Sequence, residues 1–255
     1  MVVSNKTIPS QTITRAVNIL LALREGKSSI TEISNRLDLS KGTIHRLLKT
    51  LEGTGLVIQD MDSRRYFLGP LVVKLASDPM LAHKNLIVCA YKEMSRLARI
   101  SEETVSLVTQ LGIYTVCLDE IESQQGIRFA TGKGATVPLH VGSGGKIILS
   151  ALDEEERRLI IDNLPLNLVG PNTITRRDEL IEEIKKINKQ GYATSFGERT
   201  VGGAGISVLI RNYLCPVALC IIGPDNRLAP KLMGLLEELK SSADNISKTL
   251  AGKPA

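Results

Sequence analysis

The sequence predicts an α+β protein, with an N-terminal winged helix-turn-helix followed by a larger antiparallel sheet flanked by helices. Three observations carry that prediction. Two short amphipathic helical patterns and a hairpin pattern follow one another within Ser28–Leu68. Beyond them, strand-period and helix-period segments alternate, and closely spaced strand pairs favour antiparallel pairing. Charge is also unevenly placed. Up to Ala76 the chain has 11 basic and 6 acidic residues, whereas the remainder balances at 21 of each, so the whole net charge of +5 sits on the first part. That is the footprint of one domain meeting a polyanion.

Each element of the first part has a local reason. Ile13 to Leu23 reads as a helix with Val17, Leu20 and Leu21 inward. Ser29 and Glu32 have capping-box spacing, and Ile30, Ile33 and Leu37 repeat along one face behind them. Asp38-Leu39 forms the turn and Ser40 the next N-cap; Ile44, Leu47, Leu48 and Leu51 make the buried stripe of the second helix. Its other side offers Ser40, Lys41, Thr43, His45, Arg46 and Lys49, which are donors suited to phosphates and base edges. Gly53 and Gly55 end that helix, Leu56-Val57-Ile58 and Tyr66-Phe67-Leu68 pair across Asp60–Ser63, and Arg64 and Arg65 lie beside the tip as wing contacts. Gly69-Pro70 closes the module.

The second part is expected to open with a helical pattern over Met80–Ile100, with Leu86, Ala90, Met94 and Leu97 on one side. Strands follow at Thr104–Leu111, Ile113–Ile121 and Ile127–Ala130. Helices are expected over Ser143–Leu152, Asp153–Leu164 and Thr175–Lys189. Strands return at Tyr192–Ser195, Gly205–Arg211 and Leu214–Gly223, the last two joined tightly over Asn212-Tyr213, before a final helix from about Pro230 to Leu250. The resulting boundaries are 1–72 for the DNA-binding module, 73–85 for a linker helix and 86–255 for the second domain.

Composition narrows the function classes. An apolar content of 43% supports globular cores, while 3% aromatic residues and no Trp argue against stacking on single-stranded bases. No apolar run is long enough for a membrane span and no signal peptide opens the chain. Cys89, Cys117, Cys215 and Cys220 form no C-x-x-C pair, so a cytoplasmic protein with reduced thiols is expected. Gly142-Ser143-Gly144-Gly145-Lys146 fails as a phosphate loop, because His140 and Ile147 stand where Gly and Ser or Thr are needed. None of His45, His83 and His140 has a metal-ligand partner at helical spacing, and no nucleophile-base-orienter set is visible. No metal, cofactor or catalytic residue is expected. Glu154-Glu155-Glu156 reads as a solvated helix N-terminus.

The full pattern resembles the IclR family of transcriptional regulators, over nearly the whole chain. The resemblance rests on Leu39 to Leu48, Gly55-Leu56-Val57 and Tyr66 to Gly69 in the first domain. In the second it rests on Glu103-Thr104-Val105, Pro138-Leu139-His140 with Gly145-Lys146, Gly191-Tyr192-Ala193, Glu198, and Gly223-Pro224. It implies a GAF-like effector domain, operator binding as a dimer or pair of dimers, and control by a small metabolite. It also implies a ligand pocket lined by Phe129, Val137, Ser143, Gly144, Ser195, Gly205, Cys220 and Ile222, and it alone keeps His140 as a candidate metal ligand. Ser195, Gly205, Cys220 and Ile222 stand where relatives commonly carry Asp, Cys and two Ser. Each change removes a polar group, which points to a small acid with an apolar or aromatic body, or to a pocket that no longer binds. The competing reading is a metabolic enzyme with an accessory DNA-binding module.

Overall fold

The computed structural model describes Ser10 to Gly252; the outer ends of the two expected domains, residues 1–9 and 253–255, lie outside the described residues. The chain divides into two compact units, Met1–Asp78 and Pro79–Ala255.

The first unit contains α1 (Gln11–Arg24), α2 (Ile30–Leu37), α3 (Lys41–Thr54), β1 (Val57–Gln59), β2 (Tyr66–Leu68) and α4 (Pro70–Ala76). Ser29 and Glu32 close the capping box at α2, and Ser40 caps α3 by accepting from Thr43 N–H at 3.3 Å. Asp38 in the left-handed region turns the chain between them. Ile33, Ile44, Leu48 and Val57 are wholly buried with Ile19 of α1. Two expectations are corrected here. Gly53 lies inside α3, and Gly55 alone ends it, at φ +79°. In α1 Ile19, Ala22 and Leu23 are buried and Leu20 packs against the same core, as expected, whereas Val17 does not face inward; with Ile13, four residues away, it forms an exposed apolar stripe. The helix is apolar on more than one side, so periodicity alone does not fix its facing.

The second unit contains α5 (Pro79–Ala82), α6 (Lys84–Ser101), β3 (Thr104–Leu111), β4 (Tyr114–Ile121), β5 (Thr136–Pro138), α7 (Gly142–Ala151), α8 (Glu154–Asn163) and α9 (Arg177–Gln190), then β6 (Ala193–Phe196), β7 (Gly203–Ile210), β8 (Val217–Pro224), α10 (Asp225–Leu228) and α11 (Leu232–Ala251). Its sheet is antiparallel throughout, in the order β5-β4-β3-β8-β7-β6. The period-2 alternation sorts residues between faces. Val105, Leu107, Leu219, Ile221, Ile206 and Val208 pack with α6 and α11, whereas Val108, Cys117, Ala218 and Cys220 pack with α7, α8 and α9.

Two connections differ from expectation. Ile127–Ala130 is not a strand; β5 begins later, at Thr136. The segment is ordered by side chains instead of a ladder. Arg227 holds Glu103 through two bonds of 2.5 and 2.8 Å and donates to the Ile127 carbonyl at 2.9 Å. The Glu120 carboxylate accepts from the Thr131 and Gly132 backbone N–H groups. The β7–β8 connection spans 211–216 instead of a two-residue turn. Pro216 has no N–H to give the ladder, so pairing starts at Val217.

Candidate nucleic-acid interface and cavity

The exposed side of α3 carries Lys41, His45 and Arg46, with Thr43 half-buried beside its cap Ser40. The side chains of Lys41, His45, Arg46 and Arg64 hold no partner among the described residues. Two other expected contact residues are engaged. Lys49 donates to Glu52 at 2.7 Å and to Gln59 at 3.2 Å, and the Glu52 carboxylate raises its ammonium above the usual lysine value. Arg65 folds back to the Ser28 hydroxyl at 3.1 Å. At the wing, Asp60 accepts from Ser63 N–H at 2.7 Å, and Arg64 sits in the left-handed region at φ 58°. This leaves Arg64 as the free cation of the hairpin among the described residues.

On the α7 face of the sheet, a cavity of about 150 Å³ opens between β3, β8, β6, the start of α7 and the 129–131 loop. Phe129, Val137, Ser143, Gly144, Ser195, Cys220 and Ile222 line it; Gly205, expected among them, does not. A Cβ at Gly205 would stand 2.8 Å from Ser143 Oγ and 3.2 Å from Ser195 Oγ, so the missing side chain makes room for both hydroxyls. Gly144 and Gly145 let α7 approach its neighbours. A Cβ at Gly145 would fall 2.2 Å from the Leu139 carbonyl, and one at Gly144 would press on Cys220 and Val108 at 3.1 Å.

Sequence reasoning missed several lining groups. Ser106, Thr115, Thr131 and Thr200 add hydroxyls, and Glu198 and Arg199 add charges. The cavity is therefore more polar than the four substitutions alone imply. Period-2 alternation from Val108 carried the signal for Ser106; nothing local marked Thr131 or Arg199. Ser143 donates to or accepts from Ser207 at 2.7 Å.

Behind the cavity lies a buried ion network. Lys146 Nζ meets Glu198 Oε1 at 2.5 Å and Glu183 Oε1 at 3.2 Å, and Glu198 Oε2 accepts from Gly142 N–H at 2.9 Å. Burial pushes the Glu198 carboxyl above the usual carboxylate value, against the pull of Lys146 and of the Gly142 amide. Lys146 thus closes the second domain internally, buried and paired with both carboxylates. His140 is fully buried; its Nε2 donates to the Asn167 carbonyl at 3.1 Å, and its Nδ1 has no hydrogen-bond partner among the described residues. Burial pushes the Cys220 thiol up to about 11 and Cys117 to about 12, so neither offers a thiolate near neutral pH. Among the described residues no three His, Cys, Asp or Glu side chains are grouped to hold a metal.

Comparison with known proteins decides the family. The model described as IclR helix-turn-helix domain matches residues 12–61, and that described as Bacterial transcriptional regulator IclR C-terminal matches residues 79–248. The chain belongs to the IclR family. Over 250 residues it is 30% identical to the HTH-type transcriptional repressor AllR of Salmonella typhi, covering 96% of this chain and 92% of that one. The IclR crystal structure from Thermotoga maritima superposes with a TM-score of 0.63 at 27% identity, over 94% of this chain and 98% of that one. The fold is also shared with an IclR homolog of Microbacterium hydrocarbonoxydans complexed with 4-hydroxybenzoate, at a TM-score of 0.62 and 22% identity, covering 95% of this chain and 100% of that one. The IclR chain described here is accordingly a DNA-binding transcriptional regulator whose first unit is its helix-turn-helix domain. No helix among the described residues is long and apolar enough to cross a membrane.

Proposed function

We propose that this regulator binds operator DNA as a homodimer or pair of dimers, and that a small organic acid with a compact apolar or aromatic body controls that binding from the cavity. The observation that carries the reading is the cavity itself. Its volume of about 150 Å³ is on the scale that accepts a single aromatic ring, and Phe129, Val137 and Ile222 give it apolar wall. The fold-sharing homolog complexed with 4-hydroxybenzoate supports the same ligand class. The regulator acts in the cytoplasm, and no substrate turnover is expected of it.

Thermal shift on the full chain tests this reading. Aromatic acids such as 4-hydroxybenzoate should raise the melting temperature with saturation and change the mobility shift of the chain's own upstream DNA. Stabilisation by pyruvate-sized acids and not by aromatic ones would reverse the size assignment. Dimerisation is supported by apolar surface left exposed within each unit: Ile13 and Val17 on α1, and Val88 and Tyr91 on α6. Sedimentation as a monomer at micromolar concentration, with and without operator, would contradict it.

The DNA contacts are assigned to Ser40, Lys41, Thr43, His45, Arg46 and Arg64, with Lys49 and Arg65 contributing only if they leave their present partners. Arg46, free and central on α3, is the base-reading candidate. Arg46→Ala should weaken operator binding by about 1–3 kcal/mol and relax preference at one base pair. A mobility-shift titration with single-base operator variants reads both effects. Uniform weakening with a flatter salt dependence would assign Arg46 to phosphate, and unchanged affinity would remove it from the interface.

A further inference from the structure

Two charged side chains line the cavity, and they are in opposite situations. Glu198 is fully committed, with one oxygen on Lys146 and the other on the Gly142 N–H. Its carboxylate thereby occupies the amide end of α7, the place where a ligand anion would otherwise be drawn. Arg199 is exposed at the rim and makes a single hydrogen bond among the described residues, from Nη1 to Thr131 Oγ1 at 2.9 Å. A guanidinium has five N–H donors, no acceptor and a permanent charge, so most of its donors remain unused. Thr131 belongs to a loop anchored by Glu120, whose oxygens accept from the Thr131 N–H at 2.9 Å and the Gly132 N–H at 2.7 Å. The cation is therefore tethered to an ordered loop.

We propose that Arg199 selects the charge of the effector: its guanidinium pairs with the ligand carboxylate at the rim, while the apolar body enters between Phe129, Val137 and Ile222. The inference rests on the reading of this cavity as the effector site. It places the negative group at the rim and away from the start of α7, where the Glu198 carboxylate already accepts from the Gly142 N–H. Neutral analogues of the same shape then bind without using Arg199.

Calorimetric titration of the full chain with benzoate, 4-hydroxybenzoate, phenylacetate and pyruvate, each beside its neutral carboxamide, tests the assignment. Arg199→Gln should weaken binding of the acids by about ten- to a hundredfold and leave the amides unchanged. Arg199→Lys should restore part of the loss, and added salt should weaken the acids alone. A role limited to holding Thr131 in place predicts equal losses for acid and amide in Arg199→Gln, and that result overturns the proposal. Ser195→Phe, which fills the cavity from the edge strand, separates the two levels of inference. If it abolishes binding while Arg199→Gln changes nothing, the cavity is the effector site and Arg199 does not select charge. If ligands bind Ser195→Phe and the unaltered chain alike, or no acid binds at all, the effector-site reading falls and the assignment of Arg199 with it.

Discussion

Lys146→Met is expected to lower the stability of the second unit by about 3–5 kcal/mol, with an expanded or partly unfolded effector domain as the outcome. The side chains of Lys146 and Glu198 are only 2% and 8% exposed, and methionine keeps the length of lysine while removing its charge. Most of the penalty comes from what remains: Glu198 stays buried with one oxygen on Gly142 and the other without a cation. Removing both charges together should cost much less, so Lys146→Met with Glu198→Gln is expected to recover a large part of the loss. Denaturant titration of the three variants measures this. Equal losses in the single and double variants would show that packing, and not an abandoned charge, sets the cost.

The pH dependence of that variant follows from the same pair. Burial already raises the Glu198 carboxyl above its ordinary value of 4.5, and Lys146 is the main group opposing the rise. Without Lys146 the rise is larger. A carboxyl with a higher value in the folded state keeps its proton where the unfolded chain has released it, so stability falls as pH increases from about the unfolded carboxylate value through the folded one, then levels. The deficit of Lys146→Met should therefore be smallest in acid and reach its full size above the folded-state value. A deficit independent of pH would mean that Glu198 does not titrate in this environment.

The helix-turn-helix was legible because its determinants are local. The Ser29–Glu32 box, the Ser40 cap and the Leu47, Leu48 and Leu51 stripe all lie within one or two turns of the backbone they organise. Strand β3 was legible for the same reason, since its strand-period alternation lies within Thr104–Leu111 itself. What sequence reasoning missed is held by contacts distant in sequence. The 127–131 loop takes its shape from Glu120, Glu103 and Arg227, and Arg65 is turned from the wing by Ser28, 37 residues away. Lys146 and Glu198 lie 52 residues apart, and no periodicity connects them. The cavity was implied at its sheet and α7 walls only by the resemblance to the IclR family, and by no spacing or periodicity in the chain. It was not legible at its rim, where Thr131 and Arg199 meet through side chains on two loops.

Leu48→Ala should abolish operator binding while leaving the cavity able to bind its ligand. Leu48 is fully buried in a core built from few side chains, chiefly Ile19, Ile33, Ile44, Leu47, Leu51, Val57 and Tyr66. Truncating a buried leucine costs about 2–5 kcal/mol, through lost burial and the cavity left behind. A core of this size supplies only about 3–5 kcal/mol of net stability, so the loss is comparable with everything that keeps α3 in place. The recognition helix has no independent stability to fall back on, since an isolated helix of its length is marginal in water. Leu48→Met, which keeps most of the volume, should cost less than about 1.5 kcal/mol and retain binding. Mobility shift gives the operator affinity, and calorimetry with the acid panel tests the second unit in the same preparation. Wild-type operator affinity in Leu48→Ala would mean that DNA contact or self-association supplies the missing stability, and that the module folds on its target. Loss of ligand binding together with operator binding would show instead that the two units do not fold independently.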